Sequence, residues 1–130
     1  MAEKKILIIE DDKDALYAIG IRLKAHGYTV VATTDAISAI SMAQKEKPDL
    51  IILDLGLPGG DGYMVMQRVR RNSPSLLLVP IIVVSARDPV ANERRALEGG
   101  AHAFLQKPVE NAVFLAAIEN ALSKSVAQEK

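Results

Sequence analysis

Short apolar runs alternate along the chain with longer stretches in which apolar residues recur every three or four positions. Ile6–Ile9, Leu50–Leu53 and Pro80–Val84 are apolar throughout, as expected of strands covered on both faces. Tyr28–Ala32 and Ala103–Gln106 are weaker runs, suited to the edges of a sheet. Five strands with helices between them imply crossover connections, hence a parallel sheet between two helical layers. Leu16, Ile19 and Leu23 mark one face of the first helix, and Gly27 is placed to end it. Ile37, Ile40 and Ala43 stripe the second, which stops before Pro48. Met66 and Val69 mark the buried side of the third, ending near Asn72-Ser73-Pro74. Asp88-Pro89 opens the fourth as cap and first-turn proline, and Gly99-Gly100 closes it. Phe114, Ala117, Ile118, Ala121 and Leu122 stripe the fifth. The pattern predicts one domain over residues 1–124, with 125–130 a polar C-terminal tail or truncated linker.

Composition narrows the function. The 130 residues are 49% hydrophobic and 25% charged, and sixteen Lys+Arg balance sixteen Asp+Glu. Zero net charge argues against affinity built on general attraction to nucleic acid or anionic membrane. No cysteine excludes a disulfide framework and a thiol nucleophile, and two histidines, His26 and His102, make a multi-histidine zinc site a poor expectation. The first apolar run is too short for a signal peptide or a membrane span, so a cytoplasmic protein is expected.

In a doubly wound sheet, ligands bind beyond the carboxyl ends of the strands. There the chain carries Glu10-Asp11-Asp12 after the first strand, Asp54 after the third, Ser85 after the fourth and Lys107 after the fifth. If the topology converges, these form a cluster of carboxylates, one hydroxyl and one ammonium. Two ionised carboxylates about 4 Å apart repel by roughly 4 kcal/mol at an effective dielectric near 20. One lysine offsets only part of that, and all-oxygen ligation suits Mg²⁺ or Mn²⁺. A lone Asp at a strand end more commonly caps a helix, and Asp12 and Asp14 fit that role on the first helix. Four suitable groups on four strand ends point instead to a magnesium-dependent phosphoryl site.

These residues resemble the receiver (response-regulator) domains of two-component signalling, the CheY-like family. The resemblance rests on Ile6-Leu7-Ile8-Ile9-Glu10-Asp11-Asp12, on Asp49-Leu50-Ile51-Ile52-Leu53-Asp54-Leu55-Gly56-Leu57-Pro58-Gly59-Gly60-Asp61-Gly62, on Pro80-Ile81-Ile82-Val83-Val84-Ser85-Ala86 and on Phe104-Leu105-Gln106-Lys107-Pro108. Together they span roughly Lys4 to Leu122. The resemblance implies the strand order 2-1-3-4-5 of CheY, with five helices around the sheet. It implies Asp54 as acceptor of a phosphoryl group from a sensor histidine kinase or histidine phosphotransfer protein. Asp11, Asp54 and the backbone carbonyl of Gly56 would bind Mg²⁺, with Glu10 acting through water; Asp12 stays outside the metal site. Ser85 and Lys107 would contact phosphoryl oxygens, and Lys107-Pro108 would be a cis peptide. Phe104 stands where tyrosine is commoner, and is either core or the aromatic of a switch coupled to Ser85. Arg87 would sit near the pocket mouth, as a modulator of donor access or a solvated charge. Output would pass through the fourth helix, fifth strand and fifth helix to a downstream protein, an effector domain or a second copy.

Other readings share the fold. A pseudo-receiver would be an interaction module without phosphotransfer, and the intact set Glu10, Asp11, Asp54, Ser85 and Lys107 speaks against it. A flavin or nucleotide binder would want a Gly/Ser/Thr-rich loop after the first strand, where three acids stand. A haloacid-dehalogenase-like phosphatase would want Asp two places after the nucleophile, where Gly56 stands.

Overall fold

The apolar runs become the strands of one parallel sheet: β1 (Lys5–Ile9), β2 (Thr29–Thr33), β3 (Leu50–Leu53), β4 (Ile81–Ser85) and β5 (Ala103–Gln106). Their spatial order is β2-β1-β3-β4-β5, that of the CheY-like fold expected. The structure is a computed structural model that describes residues 3–72 and 74–129, without the side chains of 72 and 124–129. Five helices connect and follow the strands: α1 (Lys13–Ala25), α2 (Ala36–Glu46), α3 (Gly62–Asn72), α4 (Pro89–Glu98) and α5 (Asn111–Glu129). The backbone of α5 runs through most of the segment expected as a polar tail, whose side chains lie outside the described residues.

Alternation along the strands divides the core in two. Leu7, Ile9, Ile51, Leu53, Ile81, Val83 and Phe104 pack against α2, α3 and α4, through Ala39, Val65, Met66, Val69 and Ala96 among others. Ile6, Ile8, Leu50, Ile52, Ile82 and Val84 face the other way, against Leu23 of α1 and Phe114, Ile118 and Ala121 of α5. Both faces of β1, β3 and β4 are covered, which is why these runs lack polar residues. In register, Ile8 lies between Ala32 and Ile52, and Ile9 between Thr33 and Leu53.

Local differences from the expected elements have simple causes. β4 starts at Ile81 because Pro80 has no N–H to donate; its carbonyl still accepts from Ile51 N at 3.0 Å. β2 starts after Tyr28, whose N–H is spent closing α1 on Leu23 O at 3.1 Å, across Gly27 at φ +87°. On α2 the expected stripe holds at Ala43, which is buried, and at Ile40, which is half-buried, and is corrected at Ile37, which is 73% exposed; Ala36 and Ala39 complete the buried face. The helix starts at Ala36 behind the cap Asp35, which turns the alanines to the sheet, where small side chains allow close approach. Asp88 caps α4 as expected, accepting from Val90 N at 3.1 Å. Two features were outside the expected pattern: a ribbon pairing Gly56–Leu57 with Gly60–Asp61, and a 3₁₀ turn at Pro74–Leu76. Among the described residues, no helix is long and apolar enough to cross a membrane.

Candidate functional site

At the carboxyl edge of the sheet the backbone ladder runs one step past the strands and fixes the polar residues that follow. Glu10 N donates to Thr33 O (3.1 Å), Asp54 N to Ile9 O (2.9 Å) and Lys107 N to Ser85 O (2.8 Å). Side chains from four distant segments are thereby held in one place. Glu10, Asp11 and Asp54 each offer a carboxylate oxygen, and these lie within 4.8 Å of one another. Lys107 Nζ is hydrogen-bonded to Glu10 Oε1 and stands 3.5 Å from Asp54 Oδ2. The other oxygen, Asp54 Oδ1, accepts from Gly56 N at 3.3 Å, so both ends of this carboxylate are oriented. Asp12 caps α1, its carboxylate accepting from Asp14 N and Ala15 N, and stays outside the acidic cluster as expected.

The cluster is electrostatically unbalanced. Glu10 is only 2% exposed, and burial raises its pKa; the neighbouring Asp54 raises it further, while the bond from Lys107 opposes both. Burial alone would lower the pKa of Lys107, but its bond to Glu10 and the charges of Asp54 and Glu10 raise it above the ordinary lysine value. Three carboxylates against one ammonium leave two negative charges in a small volume. An all-oxygen donor set with that surplus fits a hard divalent cation of the Mg²⁺ type.

Ser85 ends β4 at 1% exposure, and its Oγ accepts from Arg87 N at 3.0 Å, leaving the hydroxyl proton free to donate elsewhere. Leu53 lies beside Val83, so Ser85 sits just beyond the level of Asp54. Phe104 is buried beside Val83, within the core on the α3–α4 side. The Lys107-Pro108 peptide bond is cis. The histidines are engaged elsewhere: His26 Nδ1 lies 2.9 Å from Arg22 O, and His102 Nε2 3.0 Å from Asn120 Oδ1.

Two contributors were not singled out from the sequence. At Gly62 a Cβ would stand 2.6 Å from Leu55 Cα and 2.9 Å from Asp54 O, so only glycine lets the head of α3 press against the loop carrying Asp54. The glycine-rich run Gly59-Gly60-Asp61-Gly62 carried that signal, yet nothing in it said which glycine was confined. Asp61 is the second: its Oδ2 lies 3.4 Å from Arg87 Nη1, joining the loop after β3 to the loop after β4.

Known proteins share this fold. The chain is 32% identical over 121 residues to the transcriptional regulatory protein YxdJ of Bacillus subtilis, which covers 93% of this chain and 51% of YxdJ. It thus spans about half the length of that curated relative. Among solved structures, the receiver domain of sensor histidine kinase PA1611 from Pseudomonas aeruginosa superposes with a TM-score of 0.85 at 28% identity, covering 94% of this chain and 99% of that one. That protein holds a magnesium ion coordinated in its active-site cleft. The BeF₃-activated N-terminal receiver domain of Klebsiella pneumoniae RstA superposes with a TM-score of 0.83 at 32% identity, covering 91% and 97%. The pattern of the response regulator receiver domain matches residues 6–119 from end to end, and the chain belongs to that family.

Proposed function

We propose that the domain accepts a phosphoryl group on Asp54 from a phosphohistidine of a sensor kinase or phosphotransfer protein, with Mg²⁺ bound. The observation that carries this reading is the convergence of Glu10, Asp11 and Asp54 oxygens within 4.8 Å beside the single ammonium of Lys107. An Asp54 carboxylate oxygen forms a bond to phosphorus as the P–N bond breaks, and the departing imidazole nitrogen takes the electron pair and a proton. Asp11, Asp54 and the Gly56 carbonyl would hold the metal, with Glu10 assisting through water, and Mn²⁺ would serve as a substitute. When bound, the cation supplies charge neutralisation to the transferring phosphoryl group. Lys107 pairs with one phosphoryl oxygen and the free Ser85 hydroxyl donates to another. Nothing lies within 4 Å of a Cβ placed on Gly56, so water has room to approach and hydrolysis resets the domain.

The cytoplasmic module then signals through α4, β5 and α5 to a downstream protein, an effector domain or a second copy. Supporting this face are the exposed apolar side chains Val90 and Leu97 on α4 and Val113 on α5. The Ser85 hydroxyl and Phe104 are the elements the phosphoryl group biases.

Incubation with Mg²⁺ and acetyl phosphate, followed by intact-mass measurement, tests the reading. The expected result is a single-phosphoryl gain in the wild type, none in Asp54→Asn, and a much slower gain in Lys107→Ala. A wild type that binds Mg²⁺ and takes up no phosphoryl group overturns the proposal in favour of a pure interaction module.

A further inference from the structure

We infer that Arg87 is a phosphoryl-binding residue that exchanges partners, holding Asp61 in the unmodified domain and the phosphoryl group when Asp54 carries one. This rests on the reading of Asp54 as acceptor. Arg87 is rooted at the site: its backbone N–H donates to Ser85 Oγ at 3.0 Å, and its Nη2 lies 3.5 Å from the carbonyl of Leu55, the residue after Asp54. The guanidinium therefore already reaches from the loop after β4 to the loop that carries the acceptor.

Its present hold is weak. The bond to Asp61 is 3.4 Å long, with the two side chains 38% and 44% exposed. Ion pairs so open to water contribute little and are readily displaced. A phosphoryl group is a stronger rival, being doubly charged and able to accept both prongs of the guanidinium fork.

Charge makes the exchange favourable. The two surplus negative charges of the cluster are what one divalent cation cancels. Converting the Asp54 carboxylate into an acyl phosphate dianion adds one more. Lys107, bonded to the buried Glu10, serves one phosphoryl oxygen, and Arg87, held only by its open pair to Asp61, is a second cation whose partner is easily surrendered. Departure of Arg87 also changes the loop after β3. Asp61 pairs through its backbone with Gly56, and its Oδ1 accepts from Tyr63 N at 2.9 Å at the head of α3. Partner exchange thus transmits phosphorylation to α3 without a hydroxyl on residue 104.

Binding of the phosphoryl mimic BeF₃⁻ to the full chain in saturating Mg²⁺, followed by titration calorimetry, tests this. Arg87→Ala is expected to weaken BeF₃⁻ by about tenfold, the loss of one charge-assisted hydrogen bond, with Arg87→Lys recovering part of it. Mg²⁺ binding without BeF₃⁻ stays within about twofold of wild type, since the lost contact is to the mimic rather than the metal. Asp61→Asn, which frees the guanidinium, is expected to tighten BeF₃⁻ by about two- to threefold, and to do nothing in the Arg87→Ala background. Equal BeF₃⁻ affinity in wild type and Arg87→Ala overturns the inference alone, as does weakening by Asp61→Asn equal to that by Arg87→Ala, which would make the pair a fixed strap. Absence of BeF₃⁻ binding in the wild type overturns the acceptor reading of Asp54 together with this one.

Discussion

Ile9 ends β1 and Glu10 follows it, and the two are buried to nearly the same degree, at 0% and 2% exposure, yet they do opposite things for the fold. The same change of character occurs from Leu53 to Asp54 and from Val84 to Ser85. Below that line the residues of β1 from Ile6 onward, of β3 and of β4 remove apolar surface from water, at about 25 cal/mol per Å². Above it the protein gathers like charges that repel, Glu10 buried, Asp54 half-buried and Asp11 exposed, with one lysine as partial relief. The lower region is built for stability and the upper one concentrates unbalanced negative charge. Function here is the part of the sheet's edge that stability alone would not have chosen.

The sharpest way to break this contrast is to damage one region and read the other. Ile8 is fully buried between Ala32 and Ile52, and Ile8→Ala is expected to cost about 2–5 kcal/mol in urea denaturation. Where the variant is folded, its rate of labelling by acetyl phosphate stays near wild type. A labelling rate that collapses with stability would mean that the two regions are one cooperative unit.

Within the site, opposite signs are expected from two neighbouring changes. Lys107→Ala leaves the buried Glu10 without its hydrogen-bonded cation and is expected to destabilise the metal-free fold by about 1–3 kcal/mol. Asp54→Asn removes one of the repelling carboxylates and is expected to stabilise the same metal-free fold by about 0.5–2 kcal/mol. Thermal melts in a chelator, compared with melts in Mg²⁺, measure both. Destabilisation by Asp54→Asn in the chelator would show that the cluster is not strained.

A smaller effect follows from pH. The folded-state pKa of Glu10 is raised, chiefly by burial, so the folded chain binds this proton more tightly than the unfolded chain. Its contribution is therefore favourable below the ordinary glutamate value and is lost as pH rises through the folded one. The Lys107 pKa is raised too, so its contribution is present below the ordinary lysine value and fades only as pH climbs through the higher folded one. Glu10→Gln should abolish, in chelator, the fall in stability on the acidic side as pH climbs past the ordinary glutamate value, and should bring the alkaline loss to lower pH, because Lys107 then lacks the bond that raises its pKa. An unchanged acidic limb would assign that dependence to other carboxylates.

Much of this was legible beforehand, and the reason differs by region. The strands β1, β3 and β4 declared themselves because burial on both faces permits no polar residue. The cluster was legible because Glu10, Asp11, Asp54, Ser85 and Lys107 each stand at or just past the end of a strand, so topology alone brings them together. The Arg87–Asp61 bond was not, because it joins two loops whose paths no periodicity specifies. Nor was the confinement of Gly62, which depends on how closely α3 packs against Leu55.

The misjudged face of α2 marks where hydrophobicity and burial part company. Ile37, the larger side chain, stands in water, while Ala36, Ala39 and Ala43 line the sheet. The alanines keep the intervals of three and four that hold one helical face. Ile37, Ile40 and Ala43 also keep a helical interval, so spacing alone left the edge of the buried face open, and the larger side chain was favoured there. The consequence can be measured: Ile37→Ala is expected to change stability by no more than about 0.5 kcal/mol, as at other surface positions. Ala39→Leu, adding bulk where helix meets sheet, is expected to cost about 1–3 kcal/mol. If instead Ile37→Ala proved the costlier of the pair, the helix would be turned the other way, and the close approach of α2 to the sheet would lose its explanation.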